Sequence, residues 1–300
     1  MVLESKAYAK VNLHLEVLNK RSDGYHNIFS VMASIGLYDL LKLDSLDVYN
    51  GSGDPVVDIV AAGGGCVEFA RTIEVKDNLV YKAFRGYFDG AAKSCSAVVS
   101  LWKNIPPGAG LGGGSSDAAA MLRLLNEKLG WYTNEELVAI GSEVGSDVPY
   151  CISGGLAICE GRGEVITPLQ AALKAFVVVV NDGIHVDTGK AYAIMNRDAF
   201  HCDNEDDRKI HRITIQNAIE KSDFDSIRTL FRNDFESPVF RENPAIYDVK
   251  KRVLQCNPDF AAMTGSGSTI IAVFEDYNRA NDAMCVLRDE FRHVALAEFI

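Results

Sequence analysis

A mixed chain of helices and strands, long enough for two domains or one large one, is the fold class predicted by three observations. Residues 7–17 alternate apolar and polar side chains. Residues 96–102 alternate and lead through a glycine-rich loop into a helix-periodic stretch, and residues 175–180 form a compact apolar run of the kind that makes a buried strand.

Bulk composition narrows the partners. The 300 residues carry a net charge of −11, with a pI near 5.0, which argues against a nucleic acid or an anionic membrane, since both call for a basic surface. Any phosphate site must therefore be locally positive on an acidic protein. Seven cysteines, at 66, 95, 151, 159, 202, 256 and 285, include no C-x-x-C pair and read as reduced, packed thiols of a cytoplasmic protein. No apolar run approaches the roughly eighteen residues of a membrane span, and the six residues before the first strand are too short for a targeting peptide. A cytoplasmic monomer or homodimer with no membrane partner is expected.

Along the first strand, Ala7, Ala9, Val11, Leu13, Leu15 and Val17 share one face, and Tyr8, Lys10, Asn12, His14 and Glu16 the other. The pattern predicts one buried face, and on it alone Lys10 and Asn12 face water. Residues 21–26, Arg-Ser-Asp-Gly-Tyr-His, form a polar turn about Gly24, in which Tyr25 and His26 read as surface or half-buried packing. Residues 51–55 turn between strand-like runs, and Gly63-Gly64-Gly65 is a structural loop. A helix runs from Asp77 to about Phe88, capped by Asp77 or Asn78.

The next stretch is Pro106-Pro107-Gly108-Ala109-Gly110-Leu111-Gly112-Gly113-Gly114-Ser115-Ser116-Asp117, followed by the helical set Ala118, Met121, Leu122, Leu125 and Leu129. Strand, glycine loop and helix in that order make a phosphate cradle: backbone without Cβ atoms approaches a ligand closely, and the helix start offers N–H groups and partial positive charge. Ser115 and Ser116 suit the cap position. A mere turn needs fewer glycines. Gly108, Gly110 and Gly113 do satisfy G-x-G-x-x-G, yet Glu135 and Glu136, where a Rossmann acidic residue would end a second strand, open the helix 134–143 instead. No Lys-Ser or Lys-Thr follows as in a Walker loop. A nucleotide triphosphate loop of another kind remains.

Beyond it, residues 145–150, Gly-Ser-Asp-Val-Pro-Tyr, place Asp147 where local sequence alone favours a cap or turn aspartate. Residues 153–155 close this segment, a strand begins at Leu156, and Gly161–Glu164 turns. A domain boundary is expected near here, dividing 1–158 from 159–300, with the halves able to exchange a strand. His201 to His211 reads as a solvated loop. Helices are expected at 216–220, 225–233 and 245–255, then a Gly-Ser loop at 263–268, a strand at 269–274 and a helix at 278–291.

Residues 106–120 resemble the central motif of the kinase superfamily that includes galactokinase, homoserine kinase, mevalonate kinase and phosphomevalonate kinase. Residues 9–13 (Ala-Lys-Val-Asn-Leu), 21–26 and 145–149 are similar to the branch of that superfamily acting on a cytidylylated methylerythritol, and the resemblance runs from Lys6 to about Phe274. Ala109 departs from the glycine more usual there, which is tolerable if its φ stays negative. The resemblance implies an α+β fold of two domains, a ribosomal-protein-S5-like ATP domain and a ferredoxin-like substrate domain, with the site in the cleft. It implies ATP-dependent phosphorylation of the 2-hydroxyl of a substrate carrying a cytidine diphosphate moiety, in the non-mevalonate isoprenoid route.

Carried over residue by residue, the resemblance makes Asp147 the general base and Lys10 its neighbour. ATP binds on Pro107, Gly108, Ala109, Gly110, Leu111, Gly112, Gly113, Gly114, Ser115 and Ser116. Asn12, Tyr25, His26, Thr188 and Tyr192 contact substrate, although a capping Thr188 and a packing Tyr192 are nearly as good a reading. Gly265, Ser266 and Gly267 line the site opposite the first loop. Mg2+ accompanies ATP, with Ser116 as a candidate ligand. Two rivals stand: another small-molecule kinase of the superfamily, and a non-catalytic ligand sensor on the same scaffold.

Overall fold

The computed structural model describes residues 3–51, 53–89, 91, 93–171, 173–195 and 205–300. In chain order it forms β1 (Leu3–Lys20), β2 (His26–Asn50), β3 (Val56–Gly63), the short α1 (Val67–Ala70), α2 (Leu79–Phe88), β4 (Lys93–Trp102), α3 (Gly113–Leu129), α4 (Asn134–Val144) and α5 (Val148–Ser153). There follow β5 (Leu156–Gly161), β6 (Val165–Pro168), β7 (Phe176–Asn181), α6 (Thr188–Ala193), α7 (Glu205–Glu220), α8 (Phe224–Leu230), α9 (Glu236–Glu242) and α10 (Pro244–Leu254). The chain ends in β8 (Phe260–Met263), β9 (Ile270–Phe274), α11 (Tyr277–Leu287) and β10 (His293–Glu298).

Two compact units share these elements: Met1–Ala9, Leu37–Pro107 and Gly112–Gly154 in the first, Lys10–Gly36, Gly108–Leu111 and Gly155–Ile300 in the second. One seam, after Gly154, lies close to the expected boundary after 158. The second unit also takes most of β1, the start of β2 and part of the glycine loop, so neither unit is one continuous stretch.

In the first unit, β4 pairs in parallel with β3 and antiparallel with the second half of β2. A parallel neighbour needs a crossover, and α1 and α2 supply it. Asn78 Oδ1 caps α2 by accepting from Val80 N–H. Helix α3 is buried nearly all round, with Ala118, Ala119, Ala120, Met121, Leu122, Leu124 and Leu125 each at 0 % exposure. Each of the larger apolar side chains contributes roughly 1.5–3 kcal/mol when fully buried. The helix that carries the glycine loop is thus held by core packing. Its cap differs from expectation: the N-cap is Gly112 in a left-handed conformation, which moves the start to Gly113 and places Ser115 and Ser116 inside the first turn. Helix α4 has a full capping box, Thr133 with Glu136.

In the second unit the order β10-β7-β9-β8 is wholly antiparallel. Read along the chain as strand, helices, strand, strand, helix, strand, it is the ferredoxin-like arrangement. Residues 176–181 form its central strand β7, and Val177–Val180 are all buried, in keeping with their unbroken apolar run. Three expectations are corrected. Residues 205–211 begin helix α7 rather than a loop, while 201–204 lie outside the described residues. Helix α8 stops at Leu230, because Asn233 leaves helical geometry to bridge Leu15 of β1. The last helix ends at Leu287, and β10 follows it.

Both faces of β1 are buried, not one. Lys10, Asn12, His14 and Glu16 are all under 9 % exposed. Buried polar side chains require partners: Lys10, Asn12 and Glu16 have them, and His14 accepts a hydrogen bond at Nδ1 while its Nε2 makes none. Six free cysteines lie among the described residues, and burial pushes the Cys95 thiol up to about 11, which keeps it protonated and inert. No helix of the described residues is long and apolar enough to cross a membrane.

Candidate active site

Within the second unit, the strand that carries Lys10 is tied directly to the glycine loop. Lys10 N–H donates to Leu111 O at 2.9 Å, and Lys10 Nζ donates to Asn12 Oδ1 at 2.8 Å. Asn12 Nδ2 donates in turn to Ser30 Oγ, and Asn12 N–H to Thr264 Oγ1, each at 2.8 Å. Thr269 N–H reaches Ala109 O at 3.3 Å. Left-handed angles fall on Gly108, Gly110 and Gly112, and not on Ala109 between them. The methyl that departs from the more usual glycine is therefore accommodated.

The expected substrate residues of this unit also meet. His26 and Tyr192 stack, ring centroids 5.0 Å apart and planes 8° from parallel, and Tyr192 stands edge-on to Phe235 at 4.8 Å. Thr188 Oγ1 lies 2.9 Å from Ser266 Oγ, joining the start of α6 to the second glycine loop. Asp187, not Thr188, caps that helix. Tyr25 remains half exposed beneath the Arg162 guanidinium, 4.8 Å from its ring centroid.

The first unit holds Asp147 at the N-cap position of α5, where its side chain makes no capping bond. It also holds Gly112, Gly113, Gly114, Ser115 and Ser116. Ser116 is 1 % exposed, and its hydroxyl donates to Gly113 O at 2.9 Å. Just ahead of the loop, the buried Lys103 ammonium bonds both Asp39 and Asp117, the latter at 2.6 Å. Asp39 Oδ1 also accepts Ile105 N–H at 2.8 Å. Burial, with the Asp39 charge behind it, pushes the Asp117 carboxyl well above its usual range against the pull of Lys103. This group fastens residues 103–105 and the start of α3 to β2. Sequence reading passed over Lys103, although a lone lysine at the end of an apolar strand was a usable signal.

A second buried charge cluster sits on β1 of the second unit. Glu16 Oε1 lies 2.7 Å from both His211 Nε2 and Arg232 Nη2, and 3.3 Å from His14 Nε2. His14, Glu16 and His211 are close enough for a metal ion. However, Arg232 N–H donates to His14 Nδ1 at 3.2 Å, so the neutral ring keeps its proton on Nε2, and the guanidinium already supplies the cation. Burial raises the Glu16 carboxyl, but its His14, Arg232 and His211 partners outweigh that and bring it from 4.5 to about 2. A depressed carboxylate stabilises the fold above its unfolded pKa, and that contribution is lost as pH falls from 4.5 toward 2. Glu16→Gln is therefore expected to cost about 3 kcal/mol at pH 7, the gap to the unaltered protein closing below pH 4.5. Urea unfolding from pH 7 to pH 3 checks this, and a gap that does not change with pH would contradict it.

The class of protein follows from comparison. Residues 78–155 match the GHMP kinases N terminal domain and residues 215–293 the GHMP kinases C terminal family, so the chain is a small-molecule kinase of that class. It is 38% identical over 290 residues to the 4-diphosphocytidyl-2-C-methyl-D-erythritol kinase of Pseudothermotoga lettingae, covering 96% of each chain. A crystal structure of 4-(cytidine 5'-diphospho)-2C-methyl-D-erythritol kinase superposes with a TM-score of 0.74 at 29% identity over 99% of both chains. Homoserine kinase from Cytophaga hutchinsonii shares the fold, TM-score 0.75 at 17% identity over 99% of this chain and 95% of its own. The chain belongs to the 4-diphosphocytidyl-2-C-methyl-D-erythritol kinase family.

Proposed function

We propose that this kinase transfers the γ-phosphoryl group of ATP to the 2-hydroxyl of 4-diphosphocytidyl-2-C-methyl-D-erythritol, as a cytoplasmic monomer or homodimer on the non-mevalonate isoprenoid route. The observation that carries the substrate is the parallel His26–Tyr192 pair. A flat aromatic platform suits a cytosine ring, whereas mevalonate or homoserine has no ring to lay against it.

Phosphoryl transfer asks for an oriented hydroxyl, a proton acceptor and positive charge about the moving group. Asp147 takes the hydroxyl proton as the new O–P bond forms and the bond from the γ-phosphorus to the bridging oxygen breaks, releasing ADP. Lys10, its ammonium fixed by Asn12 at 2.8 Å, offsets negative charge on the transferring group. The loop 107–116 cradles the ATP phosphates. The 265–267 loop lines the same phosphates from the opposite side, and Thr188, bonded to Ser266, orients the methylerythritol end. Mg2+ would accompany ATP and offset part of the negative charge of its phosphates. Ser116, whose hydroxyl donates its proton to Gly113 O at 2.9 Å, keeps its oxygen lone pairs and would be a candidate ligand of that ion.

The test is ADP release with ATP and Mg2+ on four acceptors: the cytidylylated substrate, the same polyol phosphate without its CMP half, mevalonate and homoserine. Turnover confined to the first is expected. Turnover of another acceptor in its place would discard the substrate, and silence on all four would favour a ligand sensor. His26→Ala is expected to raise KM for the cytidylylated substrate ~10–100-fold, the equivalent of roughly 1–3 kcal/mol of base stacking, and to leave KM for ATP in place. Equal shifts in both would remove His26 from the cytosine site.

A further inference from the structure

Asn233 lies outside every helix, in a stretch held alongside β1. Leu15 N–H donates to Arg232 O at 2.8 Å, Asp234 N–H to Leu15 O at 3.0 Å, and Val17 N–H to Asp234 Oδ2 at 2.9 Å. Arg232 is fixed in turn on Glu16. The backbone of Asn233 is therefore anchored on both sides, and its side chain, 5 % exposed, is delivered to the second glycine loop. There Nδ2 donates to Met263 O at 2.6 Å and to Gly265 O at 2.8 Å, while Oδ1 accepts Phe235 N–H at 2.9 Å. Both amide protons go to carbonyls of one loop.

The consequence is directional. In a trans peptide the C=O and N–H point opposite ways, so a Gly265 carbonyl held on Asn233 turns the Ser266 N–H away from it. Two N–H groups of the loop are used within it, Thr264 on Thr269 O at 2.9 Å and Gly267 on Thr264 O at 3.1 Å. Among the described residues no acceptor meets the Ser266 N–H. A backbone N–H aimed out of a glycine turn is half of an anion nest.

We propose that Asn233 is a positioning residue for phosphate binding, which aims the Ser266 N–H at a phosphate oxygen of ATP or of the diphosphate-bearing substrate by holding the Gly265 carbonyl. This rests on the 265–267 loop lining the phosphate site. Asn233→Asp tests it, since a carboxylate only accepts and would face two carbonyl oxygens without a donor. At pH 8 the variant is expected to raise KM for one phosphate-bearing substrate about tenfold, with a smaller change in kcat. Whichever KM moves identifies whose phosphate is bound. At pH 6 the variant-to-parent ratio should shrink, because a protonated carboxyl donates to one carbonyl again.

A merely structural asparagine would lower the thermal midpoint and leave both KM values within twofold, and that result overturns the proposal. Should the Asp variant fail to fold, Asn233→Ser, which keeps one donor, is expected to raise the same KM about threefold, and unchanged values there overturn it equally. If the unaltered protein releases no ADP from the cytidylylated substrate, the functional reading fails first. Dissociation constants for ATP and CDP by calorimetry then still decide Asn233, because binding needs no turnover.

Discussion

Replacing Asp147 by Asn is expected to lower kcat roughly 10²–10⁴-fold, the usual contribution of a positioned general base, with little change in KM for ATP. Asn keeps the size and polarity of the side chain but cannot take the proton from the attacking hydroxyl. Stability should hardly move. Asp147 is the N-cap residue of α5 without a capping bond from its side chain, and Asn is as good as Asp at that position. Activity that remains would come from charge and orientation, through Lys10 and the glycine loop. Steady-state ADP release with thermal unfolding in parallel checks both halves. A kcat within threefold of the parent would end the base assignment, and a collapse of stability would mean that Asp147 holds the α5 turn instead.

Much of the local structure around this candidate site is legible in the sequence, for reasons that differ from residue to residue. The glycine loop announced itself because close backbone approach permits few other residue types. Lys10 and Asn12 were recognisable from the motif around them, whereas alternation alone would have sent them to solvent. That misreading has a physical source: period two reports which residues share a face, not whether a second layer covers it. Here β1 is buried on both faces, and His14 and Glu16 find partners more than a hundred residues away in His211 and Arg232. The acidic stretch before His211 looked like a solvated loop from composition, yet 205–220 is helical.

Asn233 is the clearest case of what sequence could not disclose. Local pattern extended a helix through it, and its role comes from carbonyls at 263 and 265 that no spacing rule connects to it. Helix α3 shows the reverse. Its apolar period was plain, but its cap was misplaced, because Ser115 and Ser116 are good caps in isolation and the left-handed Gly112 preceded them. Strong local preference yielded to the geometry of the loop.

That geometry makes Gly110→Ala the second large effect. Gly110 has φ +80, and a Cβ built on it would lie 2.2 Å from Thr264 O and 3.1 Å from Gly267 O. Both are backbone atoms, so no flexible side chain can move aside. The first glycine loop would have to part from the second, pulling on the Lys10–Leu111 and Thr269–Ala109 bonds. We expect kcat/KM for ATP to fall at least ~10³-fold, equivalent to about 4 kcal/mol, while circular dichroism keeps its native shape because the apolar cores lie elsewhere. Gly130→Ala supplies the comparison. It shares the left-handed angle, φ +66, but meets nothing within 4 Å, so it isolates conformational strain of about 1–2 kcal/mol from steric collision. Its kcat/KM should equal the parent's. If the two variants behave alike, strain rather than contact between the loops sets the cost at Gly110. If Gly110→Ala retains full kcat/KM, the close approach of the two loops has no part in binding ATP.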